Sequence, residues 1–250
     1  MSVAPSAGRI IDHVVILVAD LDAARDAMAA LGFTVLPRGG HPIFGTANHT
    51  IMFDDSYIEL LSIAAPGTVN QYQQDYIAAG GGLLGLSLAT PDADETAARL
   101  ARQGIDAIAP MDFERPVETP AGRLSAQFRT LHLSAPLGFA GYGFFCAHLT
   151  PEVVWLPDRP AHPNGATTIS GVTMRALPIL PRHALAEVAE PGATGPMPLI
   201  GDRPILAINV ARVPDHHDAR AAGFSFSQGA RGIALHHPAL GEVELVLVLS

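Results

Sequence analysis

The 250-residue sequence lacks the features that mark secreted, membrane or nucleic-acid-binding proteins. It has a single cysteine, so no intramolecular disulfide can form, which is usual in a reducing compartment. A net charge of −9 argues against a surface that neutralises phosphates. The N-terminal segment shows no secretory pattern, and no apolar run approaches the ~20 residues that span a bilayer. These absences predict a cytoplasmic protein that binds small molecules, not nucleic acid or membrane.

The composition is that of a compact globular protein with many loops. Apolar residues make up 48% of the chain and charged residues 16%, alongside 24 glycines and 21 prolines. Motifs of several common chemistries are missing, because no Gly-rich phosphate loop, GxSxG elbow, CxxC pair or HExxH helix occurs. Any site must therefore be assembled from residues that the fold brings together.

The clearest pattern runs from residue 10 to residue 63. Residues 10–18 are almost all apolar and rich in β-branched side chains, which predicts a strand buried on both faces. Asp20 is placed to cap a helix with apolar residues at helical spacing, and Gly32 is placed to end that helix. Three strands are expected to follow, at residues 33–36, 46–53 and 57–63. This order of elements is a βαβββ unit.

The same order returns after a connector at residues 65–82, where the sequence predicts a polar turn. A strand is predicted over residues 83–89, followed by a helix that begins at Asp92 or Asp94. Three further strands are expected at residues 107–113, 124–133 and 142–149. The chain therefore contains an internal repeat.

The last part of the chain is predicted to be rich in strands but less regular. The expected elements are strands at residues 167–175, 205–210, 232–236 and 243–249, a short helix at 183–188 and a loop at 191–198. Together, the patterns divide the chain into a first unit (residues 1–64), a second unit (83–149) and a divergent third unit (167–250). The three are expected to pack as one compact assembly.

Two ionisable residues of the first unit lie where the pattern predicts burial. His13 interrupts the apolar first strand, and Glu59 shares one face of the last strand with apolar residues, because side chains alternate along a strand. A buried carboxylate is costly unless a cation or several donors compensate its charge. Glu59 is therefore predicted to face a cation, and a salt bridge to Arg38 or Arg129 is the alternative.

These residues belong to a set of short segments that resembles a known superfamily. The segments are Asp12-His13-Val14-Val15, Asp20-Leu21, Leu31-Gly32-Phe33, His41-Pro42, Gly45-Thr46-Ala47-Asn48 and Tyr57-Ile58-Glu59-Leu60-Leu61. With the repeated βαβββ order, they resemble the vicinal oxygen chelate superfamily and its glyoxalase-like domains. The likeness extends over the second unit and the segments at residues 146–155 and 162–166.

The resemblance implies an α+β fold in which βαβββ units form an incompletely closed mixed β-barrel, as in glyoxalase and dihydroxybiphenyl dioxygenase. It also implies a divalent metal inside the barrel, one of Zn, Mn, Fe, Ni or Co, held by His13, Glu59 and His148. Alignment of the units places His148 near the position of Glu59, whereas Gly85 falls opposite His13 and offers no ligand. His132, His162 or a third-unit residue would have to supply the missing ligand.

The resemblance also marks candidates for catalysis and substrate binding. His41 is expected to act with Glu59 in catalysis, since an imidazole suits proton transfer near neutral pH. The residues expected to bind substrate are Asn48, Phe44, Phe144 and His162. The simpler alternatives are that His41 is solvated, that Asn48 caps a turn, and that His162 only belongs to a proline-bounded turn.

The function implied by these residues is a metal-dependent, glyoxalase-like enzyme, a lyase or isomerase. It would activate a carbonyl or enol of a small hydrophobic or aromatic oxygenated substrate through a Lewis acid. One alternative is an extradiol-type dioxygenase. Another is a metal-free protein of the same fold that binds and sequesters a small molecule. In a third alternative, units of two chains pair with each other, and the third unit serves to form the homodimer.

Overall fold

A computed structural model describes residues 9–119, 122–134, 141–156, 158–175, 188–228 and 232–249. In this part of the chain the strands form an eight-stranded and a six-stranded sheet. The strands of the first sheet are β1 Ile11–Leu17, β2 Gly39–His41, β3 Thr46–Met52, β4 Tyr57–Ile63, β5 Gly82–Ala89, β6 Met111–Thr119, β7 Gly122–His132 and β8 Tyr142–His148. Those of the second are β9 Thr168–Arg175, β10 Leu199–Gly201, β11 Ile205–Val210, β12 Ser225–Gln228, β13 Ile233–His236 and β14 Glu244–Leu249.

The helices with α-helical geometry are α1 Leu21–Ala30, α2 Gln71–Ala78, α3 Ala93–Arg102, α4 Pro151–Val154 and α5 His216–Ala221. As predicted, Asp20 caps α1 by accepting a hydrogen bond from the amide of Ala23, and Asp92 caps α3 in the same manner. No helix in the described ranges is long and apolar enough to cross a membrane.

The first sheet curls into a barrel that stays open along one seam. Its strand order is β2-β3-β4-β1-β5-β8-β7-β6, so the two repeats join where β1 pairs with β5. The edge strands β2 and β6 approach each other without forming a ladder of backbone hydrogen bonds. We call this gap between β2 and β6 the seam. The predicted α+β fold with an incompletely closed mixed barrel is confirmed.

Side chains alternate between the two faces of β1, and each face packs into a different hydrophobic core. Val14 and Ile16 belong to an outer core that includes α1 and the apolar face of the second sheet. Val15 and Leu17 belong to an inner core within the barrel. Asp12 is an extra residue in the pairing of β1 with β5, a β-bulge that separates the pairs made by its two neighbours.

Three predictions of local structure are wrong. Residues 33–36 form no strand, because the amide of Thr34 donates to the His162 ring and that of Leu36 donates to Thr50, so no continuous ladder can form. The connector contains helix α2, since residues 71–78 include neither Gly nor Pro. The strand predicted at 107–113 begins only at Met111, directly after Pro110, which has no amide to donate.

The second sheet contains the four strands expected in the third unit and two short ones, β10 and β12, that were not expected. Most of the helix predicted at 183–188 lies outside the described residues. Strands β1 to β4 lie within the first unit and the second sheet lies within the third. The division into three domains and the homodimer stay predictions.

A close approach of backbone segments joins the second sheet to the barrel at Gly241. Its φ of 65° and ψ of −149° suit only glycine, and a Cβ there would lie 2.5 Å from the amide nitrogen of Gly82. We expect Gly241→Ala to lower the free energy of unfolding by more than about 2 kcal/mol, measured by chemical denaturation.

The matched control is Gly192→Ala, because Gly192 has a φ of 83° but would place its Cβ in open space. Gly192→Ala should lower the free energy of unfolding only by the cost of placing alanine at a positive φ, about 1 kcal/mol. Equal losses in the two variants would show that the approach of Gly241 to the barrel adds nothing to stability.

Candidate active site in the barrel

The barrel encloses a cavity of about 210 Å³ lined by both repeats. We call it the barrel cavity. Much of its wall is aromatic, and the rings are those of Phe44, Tyr57, Phe113, Phe128, Tyr142 and Phe144. The ionisable groups of acids, histidines, arginine and cysteine that line it are His13, His41, Glu59, Arg115, His132 and Cys146. A small apolar chamber with a few polar groups is typical of a small-molecule site.

Among the described residues that line the barrel cavity, Glu59 is the one acidic residue, and it is only 8% exposed. Its Oε1 accepts a 2.6 Å hydrogen bond from the Asn48 amide, so Asn48 does not cap a turn. Within the described part of the chain, no arginine lies within 4.0 Å of this carboxylate, and Arg129 is paired with Asp94 and Asp112 instead. The alternative of a salt bridge to Arg38 or Arg129 is therefore wrong.

Two histidine rings flank the Glu59 carboxylate. The Nε2 atom of His13 is 4.0 Å from Oε2, and that of His41 is 3.7 Å from Oε1. Both distances exceed that of a hydrogen bond, so the carboxylate keeps free acceptor capacity toward the cavity.

His13 is oriented by its neighbour in sequence. Its Nδ1 lies 2.7 Å from the Asp12 carboxylate and its ring stacks on Tyr57. An ionised carboxylate only accepts hydrogen bonds, so Nδ1 carries the proton of a neutral ring and Nε2 presents its lone pair to the cavity side. This is the orientation that a metal ligand or a general base requires.

His41 is held in a similar way from β2. Its Nδ1 lies 3.1 Å from the Thr46 hydroxyl, which leaves Nε2 directed at Glu59. Burial lowers the pKa of His41, and the nearby charge of Glu59 only partly offsets that effect. His41 is therefore neutral near pH 7 and able to accept a proton. It is not a solvated surface residue.

Behind His13 lies a second, fully packed cluster. Burial alone would raise the pKa of Asp12, but His148, Arg9 and the hydrogen bonds from both histidines hold it well below its ordinary value. His148 Nε2 lies 3.0 Å from Asp12 and 3.8 Å from the Cys146 sulfur. Burial raises the pKa of the Cys146 thiol, so it stays protonated.

Asp12, Cys146 and His148 are the three donors that approach within 4.8 Å of one another in the described residues. The cluster is a candidate metal group by distance, yet its chemistry does not suit a cation. The Asp12 carboxylate already pairs with the Arg9 guanidinium, whose positive charge compensates it.

The predicted ligand set of His13, Glu59 and His148 does not assemble around one point, since these atoms do not meet within 4.8 Å. His148 contacts Asp12 and does not line the barrel cavity. The register of the strands explains why His148 does not occupy the position that matches Glu59. When Asp20 and Asp92 are aligned, Ser87 corresponds to Val15.

Val15 pairs with Glu59 and Ser87 pairs with Phe144 in the two parallel ladders. Phe144, and not His148, is therefore the counterpart of Glu59. Because Gly85 corresponds to His13, neither matching position of the second repeat carries a metal-binding side chain.

The other predicted residues divide into two groups. Phe44, Asn48 and Phe144 line the barrel cavity. His162 does not, because both of its ring nitrogens are used for structure: Nδ1 accepts from the Thr34 amide and Nε2 donates to the Met52 carbonyl. His162 therefore joins the turn to β3, as the simpler alternative held.

Sequence reasoning missed Arg115 entirely and named His132 only as a possible filler. Arg115 lies on β6, whose boundaries were predicted too early in the chain. Alternation along residues 113–117 would have identified it, because Phe113 and Arg115 share a face that lines the cavity. His132 stacks on Phe144 at 5.0 Å, and burial lowers its pKa.

Comparison with known proteins agrees with this architecture. A family model described as a glyoxalase-like domain matches residues 11–188. No curated protein matches the chain. A hypothetical protein from Staphylococcus aureus has a similar structure, with a TM-score of 0.62 and 11% identity over 95% of this chain and 99% of its own. The two chains thus share a fold over nearly their whole length.

Two smaller structures cover little more than half of the chain. A variant of methylmalonyl-CoA epimerase from Streptomyces coelicolor covers 57% of this chain and 96% of its own, at 20% identity and a TM-score of 0.43. The enzyme from Mycobacterium tuberculosis covers 57% and 91%, at 19% identity and a TM-score of 0.42.

The cluster around Asp12 gives a stability prediction. Asp12→Asn removes the anion that neutralises the buried Arg9, so we expect a loss of about 3–5 kcal/mol in the free energy of unfolding, measured by urea denaturation. Asp112→Asn is the control, because Asp112 is paired with Arg129 at an exposed site. Asp112→Asn should change the free energy of unfolding little. Similar midpoints for the two variants would contradict the proposed importance of Asp12.

Proposed function

Because the chain belongs to the glyoxalase-like domain family of the vicinal oxygen chelate superfamily, we propose that the barrel cavity is the active site of a lyase or isomerase. The substrate would be a small hydrophobic or aromatic molecule with a carbonyl or enol oxygen. One observation carries the proposal. A buried carboxylate, Glu59, faces an aromatic chamber between two imidazoles whose Nδ1 atoms are each held by another residue.

The donor chemistry of His13 and Glu59 fits a divalent cation with open coordination positions. The lone pair of His13 Nε2 and the free Oε2 of Glu59 lie on the same side of the cavity, 4.0 Å apart. Asp12 orients the His13 ring and Asn48 orients the carboxylate, the supporting contacts that metal ligands usually have. A cation bound there would supply Lewis-acid polarisation of a substrate carbonyl.

The remaining chemistry belongs to the protein's own side chains. His41, neutral near pH 7, takes the proton from the carbon next to the carbonyl at its Nε2 atom. Thr46 holds the ring in position through Nδ1. The aromatic wall reduces the polar surface around the substrate, which strengthens the electrostatic interactions inside the cavity.

This arrangement favours proton transfer over ring-cleaving oxygenation. Extradiol chemistry is expected of two histidines and one carboxylate bound to iron, and His148 is turned toward Asp12. The metal-free binding protein is the second candidate function. It is favoured by Gly85 and Phe144, which leave the second repeat without a ligand.

Metal uptake separates these two functions. We expect the protein to bind about one equivalent of a divalent cation, measured by elemental analysis and by titration with Mn²⁺ or Zn²⁺. His13→Ala and Glu59→Ala should each weaken binding by at least about tenfold, because each removes a ligand.

The matched control for this measurement is the exposed His217→Gln, which changes a histidine outside the barrel cavity and should leave uptake intact. A further variant, His148→Gln, tests the Asp12 cluster. Loss of the metal in His148→Gln alone would move the site to the Asp12 cluster. Failure of the unaltered protein to take up any added cation would favour the binding protein.

The role of His41 can be tested without knowing the natural substrate. The probe is 1-phenyl-1,2-propanedione, an uncharged aromatic molecule with two neighbouring oxygens, and the measurement is exchange of its methyl protons in D₂O by NMR. We expect His41→Gln to slow catalysed exchange by about 10²- to 10⁴-fold while metal uptake persists. The exposed His217→Gln is the control. Unchanged exchange in His41→Gln would contradict its role as the base.

A further inference from the structure

A second cavity, of about 230 Å³, lies along the seam of the barrel. We call it the seam cavity. It is formed by residues before and within β2, by β6, and by the segment around α4. Among the described residues, its lining includes Arg38 and Arg115 and no acidic residue. Arginine side chains in a pocket wall give a positive potential that favours an anion.

Arg115 links the two cavities, because its side chain lines both of them. It extends from β6 across the seam, where its Nη1 lies 3.8 Å from the position that a Cβ of Gly39 would occupy. On the barrel side its guanidinium lies 5.7 Å from the centre of the Phe128 ring. Arg115 therefore stands at the junction between the seam and the chamber that holds Glu59.

The charge of Arg115 has no protein counterion in the described residues, where no carboxylate oxygen lies within 4.0 Å of it. The other partly buried arginines in the described ranges, at positions 25, 99, 129 and 159, all pair with a carboxylate. Arg99 is also partly buried, and it pairs with Glu190 at 3.1 Å. A partly buried guanidinium that lines a ligand-sized cavity without a carboxylate partner is suited to bind an anion from outside the chain.

Among the described residues that line the barrel cavity, the acidic residue is Glu59 and the arginine is Arg115, and the two do not pair with each other within 4.0 Å. A ligand that spans them would place its neutral oxygens at the cation proposed beside His13 and Glu59 and its negative end at Arg115. The planar fork of a guanidinium matches a carboxylate through two parallel hydrogen bonds.

We infer that Arg115 is a specificity residue that binds a carboxylate of the substrate, so that the substrate is a hydrophobic oxygenated carboxylic acid with its negative end at the seam. The inference rests on the proposed function for the position of the reacting oxygens. It names the substrate class for that site, a carboxylic acid in place of an uncharged ketone.

The glycine at position 39 supports this arrangement. A Cβ there would lie 2.7 Å from the Asn48 side-chain oxygen, so any larger residue would displace the amide that holds Glu59. Glycine thus keeps the β2 edge thin at the point that Arg115 reaches.

The test compares binding of 3-phenylpropionate, its uncharged amide and 2-phenylethyl phosphate by isothermal titration calorimetry. We expect the unaltered protein to bind the carboxylate at least about tenfold more tightly than the amide. Arg115→Met should weaken carboxylate binding by about 10- to 100-fold, the loss expected for a charge-assisted hydrogen-bonded pair, and leave amide binding unchanged. Arg115→Lys should restore part of the loss.

The matched control is Arg220→Met, because Arg220 on helix α5 also lies over a phenylalanine ring, at 4.8 Å from Phe226, but lines neither the barrel cavity nor the seam cavity. Equal binding of carboxylate and amide, or unchanged carboxylate binding in Arg115→Met, would overturn the inference. So would preference for the phosphate, which would identify a phosphate ester as the ligand. Metal uptake, measured on the same variants, reports on the proposed function independently, because Arg115 is not a metal ligand.

Discussion

The contacts of the Asp12 carboxylate organise the whole site. This fully buried anion accepts hydrogen bonds from three cationic or titratable side chains, those of Arg9, His13 and His148. Removing one charged side chain from this cluster leaves the opposite charge buried without compensation. The cluster therefore tolerates few substitutions. Because Asp12 fixes the proton on His13 Nδ1, the same contact that stabilises the first strand also turns the Nε2 lone pair toward Glu59. Stability and chemistry thus depend on one residue.

The two repeats have diverged into different tasks within one barrel. The first repeat supplies the polar groups that face the cavity near Glu59, while the matching positions of the second hold Gly85 and Phe144. Gly85 admits the ring of Tyr142, which lies 2.9 Å from where a Cβ would stand. The second repeat therefore contributes apolar wall and, through β6, the arginine at the seam. An asymmetric chamber of this kind can hold a substrate in one orientation, with its polar head against one repeat.

Sequence reasoning succeeded where local pattern decides structure. The capping of α1 by Asp20, the limits of β4 and β11, and the burial of His13 and Glu59 follow from alternation, helical spacing and capping, which act over a few residues. It failed where a distant group intervenes. Residues 33–36 were predicted as a strand but instead make hydrogen bonds to His162 and Thr50. No sequence pattern near Thr34 predicts a partner 128 residues away.

The sequence by itself determined the repeated βαβββ units, the superfamily and the pairing of a histidine with a glutamate inside the barrel. Only the tertiary structure decided which donors converge. His148 and Glu59 seemed equivalent by position, but strand register assigns that position to Phe144 and turns His148 to Asp12. Arg115 entered the site because the barrel leaves a seam between β2 and β6. The physical reason is that periodicity assigns a side chain to a face, whereas distances between faces depend on how whole strands pair and close.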